Sequence, residues 1–121
     1  MAGPGSRFSL TTEQVGGVAV VSVTGDVDLG TAPDFERELT GAVGAQLGAG
    51  LVVDLSRIAF IDSTGLNALV HAFERQRLGG SSLALVSDDR RVAMMLEVTR
   101  LDRVLHRYAT RDEALAAVAA G

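Results

Sequence analysis

Leu51-Val-Val-Asp-Leu-Ser-Arg-Ile-Ala-Phe-Ile-Asp-Ser-Thr-Gly-Leu66 changes its hydrophobic period part-way along, and that change sets the fold. Its opening residues Leu51, Val52, Val53 and Leu55 form a short apolar run rich in β-branched side chains, the pattern of a buried strand. Further on, Leu66, Leu69, Val70 and Phe73 recur at helical spacing, which predicts the inward stripe of an amphipathic helix continuing to Arg77. Between the two lies Ile61-Asp62-Ser63-Thr64-Gly65, a turn that sets three small polar residues at a helix N-terminus. A helix start carries unsatisfied N–H groups and a partial positive charge, so it accepts an oxygen ligand or a phosphate. Two readings stand side by side. Asp62 or Ser63 is an N-cap and nothing more, or the turn is where function lies. A glycine inside a helix costs up to about 1 kcal/mol against alanine, so Gly65 predicts that something approaches the backbone closely there.

Upstream, Phe8 to Glu13 alternates Phe8 and Leu10 with Ser9 and Thr11 and reads as a strand. Gly16-Gly17 supplies hairpin-turn residues, and Val18 to Val23 is a second strand ending at Gly25. Its β-branched run suits a sheet covered on at least one face. Asp26-Val27-Asp28-Leu29-Gly30 then reads as a loop with two exposed carboxylates. Acids at i and i+2 raise a metal site or an acid/base pair, but no histidine or third acid follows at a ligand spacing. A solvated turn explains them as well. Thr31 is placed to cap a helix with Pro33, Asp34 and Glu36 in its first turn. Phe35, Leu39, Val43 and Leu47 recur every four residues along it, and Gly48-Ala-Gly50 ends it.

Downstream of the opening stretch, Gly79-Gly80 closes the second helix and Leu83, Leu85 and Val86 belong to a fourth strand. Ser87-Asp88-Asp89 starts a third helix with Val92, Met95, Leu96 and Thr99 inward. Met94 and Met95 fit either an adaptable binding surface or ordinary packing. Val104 to Tyr108 reads as a fifth strand, and Thr110-Arg-Asp-Glu113 is a capping-box pattern before Ala114, Leu115 and Val118. A hairpin followed by strand–helix alternation predicts an α/β sandwich of mixed sheet and helices. The expected organisation is a disordered tail at 1–7 and one domain over 8–121.

Composition narrows the function classes. Cysteine is absent, which excludes disulfides, zinc–thiolate sites and thiol catalysis. The first seven residues have no apolar core of the kind a signal peptide needs, and the Val18–Val23 run is too short to span a bilayer. A net charge of −4 argues against nonspecific nucleic-acid binding. The expectation is a cytoplasmic protein with no cofactor, no metal, no membrane insertion and no direct nucleic-acid partner. Ser63 as a nucleophile would need a base and an oxyanion hole. Ile61 stands where a Gly-x-Ser-x-Gly motif has glycine, and no Walker-type loop is present. Of the two histidines, His71 lies eight residues beyond Ser63, about 12 Å along a helix and off its apolar stripe, while His106 reads as a structural residue in a strand. Nothing in this pattern assembles an enzyme.

Asp62-Ser63-Thr64-Gly65-Leu66 resembles the signature of the STAS domain family, more narrowly the bacterial anti-sigma factor antagonists. Three further landmarks fall in order: Gly25-Asp26-Val27-Asp28 before Thr31-Ala-Pro33, Gly79-Gly80 before Ser82 to Val86, and Val92 to Leu101 followed by Val104-Leu105. The resemblance implies a STAS-type α/β fold, a mixed sheet of about five strands with about four helices packed mainly on one face. It implies that Ser63 is phosphorylated by an anti-sigma factor that is also a serine kinase, and that a PP2C-type phosphatase reverses this. Asp26, Asp28, Asp62, Ser63, Thr64, Gly65 and Asn67 are the partner-binding residues it implies. The unmodified protein would bind the anti-sigma factor and release sigma factor. STAS-like domains also serve as non-switching scaffolds, in stressosome-like assemblies or as lipid-transport-associated subunits, and that alternative remains open at this point.

Overall fold

The computed structural model describes residues 8–43 and 50–120. Strands β1 (Ser9–Val15) and β2 (Val18–Val27) form an antiparallel hairpin running from Val15↔Val18 to Ser9↔Thr24. Gly16 and Gly17 close it with φ of 56° and 82°, left-handed values that a two-residue hairpin turn requires and most side chains resist. There follow α1 (Ala32–Val43), β3 (Leu51–Ile61), α2 (Ser63–Leu78), β4 (Leu83–Val86) and α3 (Arg90–Thr99). A 3₁₀ turn at Leu101–Arg103, β5 (His106–Tyr108) and α4 (Arg111–Ala120) complete the described chain. The sheet has the order β1-β2-β3-β4-β5, and every pairing after the hairpin is parallel because a helix carries the chain back each time.

Side-chain alternation sends the two sets of strand residues to opposite faces. Val21, Val23, Val53, Leu55 and Leu85 meet Phe35 and Leu39 of α1, Leu66 and Leu69 of α2, and Val92 and Leu96 of α3. On the other face Val18, Val20, Val52, Ala84 and Val86 meet Ala114 and Val118 of α4. Both faces are therefore covered, which is why Val18–Val21 and Leu51–Val53 are unbroken apolar runs. Three helices lie on one face and one on the other, in keeping with helices mainly on one side.

Several boundaries differ from the expectations. Strand β2 continues past Gly25 to Val27, and β3 runs eleven residues to Ile61. Register shifts between Ser22 and Thr24, and between Gly25 and Asp26, reset the alternation that sequence periodicity relies on. Asp26 is thus a strand residue, and Asp26 and Asp28 are half-buried where two exposed carboxylates were expected. Thr31 stands at the start of α1 and its carbonyl accepts from the Phe35 amide, but its hydroxyl points backward, donating to the Asp26 carbonyl. Leu47 and the glycine-rich end expected for α1 at Gly48, like the tail at 1–7, lie outside the described residues. In α2, Val70 and Phe73 are only half-buried, and Ala68, Ala72 and Gln76 complete the inward face. In α3, Thr99 is exposed and Met95 half-buried, because Val92 and Leu96 are the buried side chains of the helix and Met95 packs at the margin of the core. Strand β5 has only three residues, with Val104 and Leu105 in the turn before it.

Candidate functional site

The C-terminal ends of β2 and β3 lie side by side, with Asp26 opposite Phe60 and Val27 opposite Ile61. One residue on, the Asp62 amide donates to the Val27 carbonyl at 3.1 Å and the chain turns into α2. Asp62 is the N-cap, its backbone extended at φ −108°. Its carboxylate accepts from the Thr64 amide at 2.9 Å, the Gly65 amide at 3.2 Å and the Thr64 hydroxyl. The Leu29 amide of the loop after β2 adds a smaller favourable influence on this carboxylate. The Thr64 hydroxyl foremost, with these amides and against a smaller effect of burial, holds the Asp62 carboxyl below its ordinary 3.8. Asp62→Ala removes the cap, with an expected loss of about 1 kcal/mol read by urea denaturation.

Gly65 explains itself in the same geometry. A Cβ there would lie 2.6 Å from Ile61 Cγ1 and 2.8 Å from Val27 Cγ1. What approaches the Gly65 backbone is the protein's own β2 and β3, not a ligand.

Ser63 is exposed as the first residue of α2, and its hydroxyl makes no hydrogen bond among the described residues. Thr64 differs: it is half-buried and its hydroxyl is engaged by Asp62. Asn67 is exposed one helical turn beyond Ser63, on the same side of α2. Asp28 Oδ1 accepts from the Gly30 amide at 3.0 Å and the Thr31 amide at 3.2 Å, a turn-forming role that sets the Leu29 amide in place. Asp26, Asp28, Asp62, Ser63, Thr64 and Gly65 are therefore brought together at one end of the sheet. His71 is exposed and pairs with Glu36 of α1, Nδ1 to Oε1 at 3.0 Å. His106 is exposed on the edge strand where a satisfied structural position was expected.

The sequence matches the STAS domain over residues 9–114. The chain belongs to the STAS domain family. It is 33% identical over 122 residues to the anti-sigma-F factor antagonist RsfB of Mycobacterium tuberculosis, an alignment spanning 100% of this chain and 97% of RsfB. An anti-sigma factor antagonist from Mycobacterium paratuberculosis has a crystal structure similar at TM-score 0.84 and 34% identity, covering 98% of this chain and 99% of that one. Unphosphorylated SpoIIAA shares the fold at TM-score 0.75 and 18% identity, covering 93% of this chain and 98% of its own. Anti-sigma factor antagonists are thus among the relatives of this STAS domain.

One part of this STAS domain left little trace in the sequence. Asp54 interrupts the apolar run of β3 and is 9% exposed. Arg111, at the start of α4, donates to Asp54 Oδ2 and Ser22 Oγ, each at 3.0 Å, and to Glu13 Oε1 at 2.6 Å. The Ser56 amide and hydroxyl donate to Asp54 Oδ1 at 3.0 and 2.6 Å. The network ties α4 to β1, β2 and β3. The only signal for it was a carboxylate inside a run otherwise buried on both faces. Among the described residues no helix is long and apolar enough to cross a membrane.

Proposed function

We propose that this STAS domain is an anti-sigma factor antagonist switched at Ser63. Unmodified, it binds an anti-sigma factor that is also a serine kinase, and sigma factor is released. Phosphorylation of Ser63 ends that binding, and a PP2C-type phosphatase restores it. The supporting observation is the contrast between neighbouring hydroxyls: Ser63 is exposed and unbonded among the described residues, while Thr64 is tied to Asp62. Asp26, Asp28, Asp62, Ser63, Thr64, Gly65 and Asn67 make up the partner-facing end of the sheet.

The physics of the switch follows from the cap. A phosphate adds about −1.5 to −2 charges and three acceptor oxygens. The Thr64 and Gly65 amides, which would otherwise greet it, are already taken by the Asp62 carboxylate. The new charge therefore stands beside Asp62 with the Asp26 and Asp28 carboxylates on the neighbouring segment, and a docked partner meets repulsion and a desolvation cost. The fold survives because Ser63 is on the surface. Each 1.4 kcal/mol lost is about tenfold in affinity, so a few kcal/mol makes a switch.

Phosphosite mapping by intact-mass and peptide mass spectrometry, on protein incubated with native-cell lysate and ATP, tests the assignment. The expected result is one phosphate on Ser63 that is lost in Ser63→Ala. A phosphate on Thr64 alone would overturn the residue, and none under any condition would favour a non-switching scaffold. Ser63→Asp is expected to bind a purified anti-sigma factor at least about tenfold more weakly than wild type in calorimetric titration. Equal affinity would remove the switch.

A further inference from the structure

Strand β4 pairs with β3 only from Leu51 to Asp54. Strand β3 continues to Ile61, held on its other side by β2. From Leu55 onward the outer edge of β3 has no strand neighbour among the described residues. Free edges are usually blunted by charge, proline or short length, because their unpaired amides and carbonyls invite another strand. The last four residues here, Ile58-Ala-Phe-Ile61, carry no charge, and Phe60 is 53% exposed.

A cleft of about 210 Å³ runs beside this edge, between β3 and the start of α3. Buried Ile58, Ile61 and Val92 line it together with the more exposed Phe60 and Met95. Its charged residues, Asp89 and Arg91, pair with each other at 2.7 Å, so the cleft presents no net charge to a visitor. Its volume takes one or two aliphatic side chains and is far too small for a helix of about 10–12 Å diameter. An unpaired strand edge beside a small neutral apolar cleft is the arrangement that binds an extended segment, backbone to edge and side chain to cleft.

We propose that the outer edge of β3 and this cleft receive an extended apolar segment of the anti-sigma factor, added to the sheet as a further strand. The inference rests on the antagonist reading above. Continuity with the Ser63 turn selects that occupant: the edge ends at Ile61, two residues before Ser63, so a strand laid along it meets the phosphoacceptor at its end. The chain's own residues 1–7, Met-Ala-Gly-Pro-Gly-Ser-Arg, offer little apolar bulk to fill the cleft.

The test titrates the full chain against each purified candidate anti-sigma factor of the same genome, then follows backbone hydrogen exchange in the complex that forms. Ala59→Arg, an exposed position beside the cleft, is expected to weaken binding about tenfold or more while leaving the thermal midpoint unchanged. The amides among residues 57–61 that point away from β2 are expected to exchange about tenfold more slowly in the complex. A partner that is weakened by Ser63→Asp, yet indifferent to Ala59→Arg and without protection at 57–61, would overturn the edge while leaving the switch standing. If no candidate binds the unmodified chain, the inference falls with the reading beneath it. Protection already present in the isolated chain and abolished by deleting residues 1–7, or a dimer in sedimentation that Ala59→Arg breaks, would make the occupant this chain itself and overturn the proposal. Should Ala59→Arg fail to fold, exchange in the wild-type complex decides alone.

Discussion

Gly65→Val is expected to lower the unfolding free energy by about 3 kcal/mol, the upper range for overpacking a buried position. The first added carbon alone would sit 2.6 Å from Ile61 Cγ1 and 2.8 Å from Val27 Cγ1, inside any real contact distance. Both neighbours are buried strand residues, Val27 fully so, and they come from two different strands that are themselves hydrogen-bonded to each other. Relief therefore requires the start of α2 to lift as a unit. Alanine would recover up to about 1 kcal/mol from its helix propensity, so Gly65→Ala is expected to cost less, about 1–2 kcal/mol net. Urea denaturation of both variants checks the order. Combining Gly65→Ala with Ile61→Ala, which removes the nearest obstructing carbons, is expected to cost clearly less than the two single losses added together. Strict additivity would mean that the helix had moved already and that this contact exerts no strain. Because lifting α2 also displaces Asp62 and Ser63, Gly65→Val is expected to bind the proposed anti-sigma factor partner poorly even where it remains folded.

The fold was legible because β2, β3 and β4 are buried on both faces by covering helices, and burial on both faces writes itself as unbroken Val, Leu and Ala runs. Where that condition lapses, so does the reading. The ends of β2 and β3 project beyond β4, and two register shifts reset their alternation, so Asp26 and Val27 resemble a loop in the sequence although they are strand. The candidate site was legible as a turn, since the switch from strand to helix periodicity falls at Asp62-Ser63. Its internal division of labour was not. That Thr64 is engaged while the Ser63 hydroxyl makes no hydrogen bond among the described residues depends on which hydroxyl swings toward the Asp62 carboxylate, a matter of cap geometry that composition does not record. That the Asp62 amide donates to the Val27 carbonyl, which ties the start of α2 to the end of β2, depends on a contact across 35 residues. The Asp54–Arg111 pair is further apart still, 57 positions, and no periodicity connects an acid in a strand to an arginine at the start of a distant helix.

That pair carries the second large expectation. Arg111→Met is expected to cost about 2–3 kcal/mol at pH 7, because it leaves the Asp54 carboxylate buried without its cation. The figure sits below the range for a fully buried pair, since the Arg111 side chain is 38% exposed and the Ser56 amide and hydroxyl still hold Asp54. Helix α4 depends on this network more than its size suggests. Its apolar contacts with the sheet are the buried Ala114 and Val118 and the half-buried Leu115, a modest area for a ten-residue helix. The acid limb of stability should report the same interaction. Burial raises the Asp54 carboxyl, but the Ser56 hydroxyl and amide and then the Arg111 guanidinium outweigh it, leaving the group below its ordinary 3.8. A carboxyl lowered on folding contributes stability that is complete above its unfolded value and fades as pH falls through the folded one. In wild type that contribution persists down to the ordinary carboxylate range and is lost only in stronger acid. In Arg111→Met, burial is opposed by Ser56 alone, the folded value rises, and the stability this group loses in acid becomes smaller than in wild type. Urea midpoints of wild type and Arg111→Met, measured from neutral pH into acid, are expected to converge as Asp54 protonates, since a neutral carboxyl no longer needs the guanidinium. Adding Asp54→Asn to Arg111→Met is expected to cost less than the sum of the two single losses. Parallel pH profiles with strictly additive losses would show instead that α4 is held by Ala114 and Val118 and that the network is only a solvated fringe.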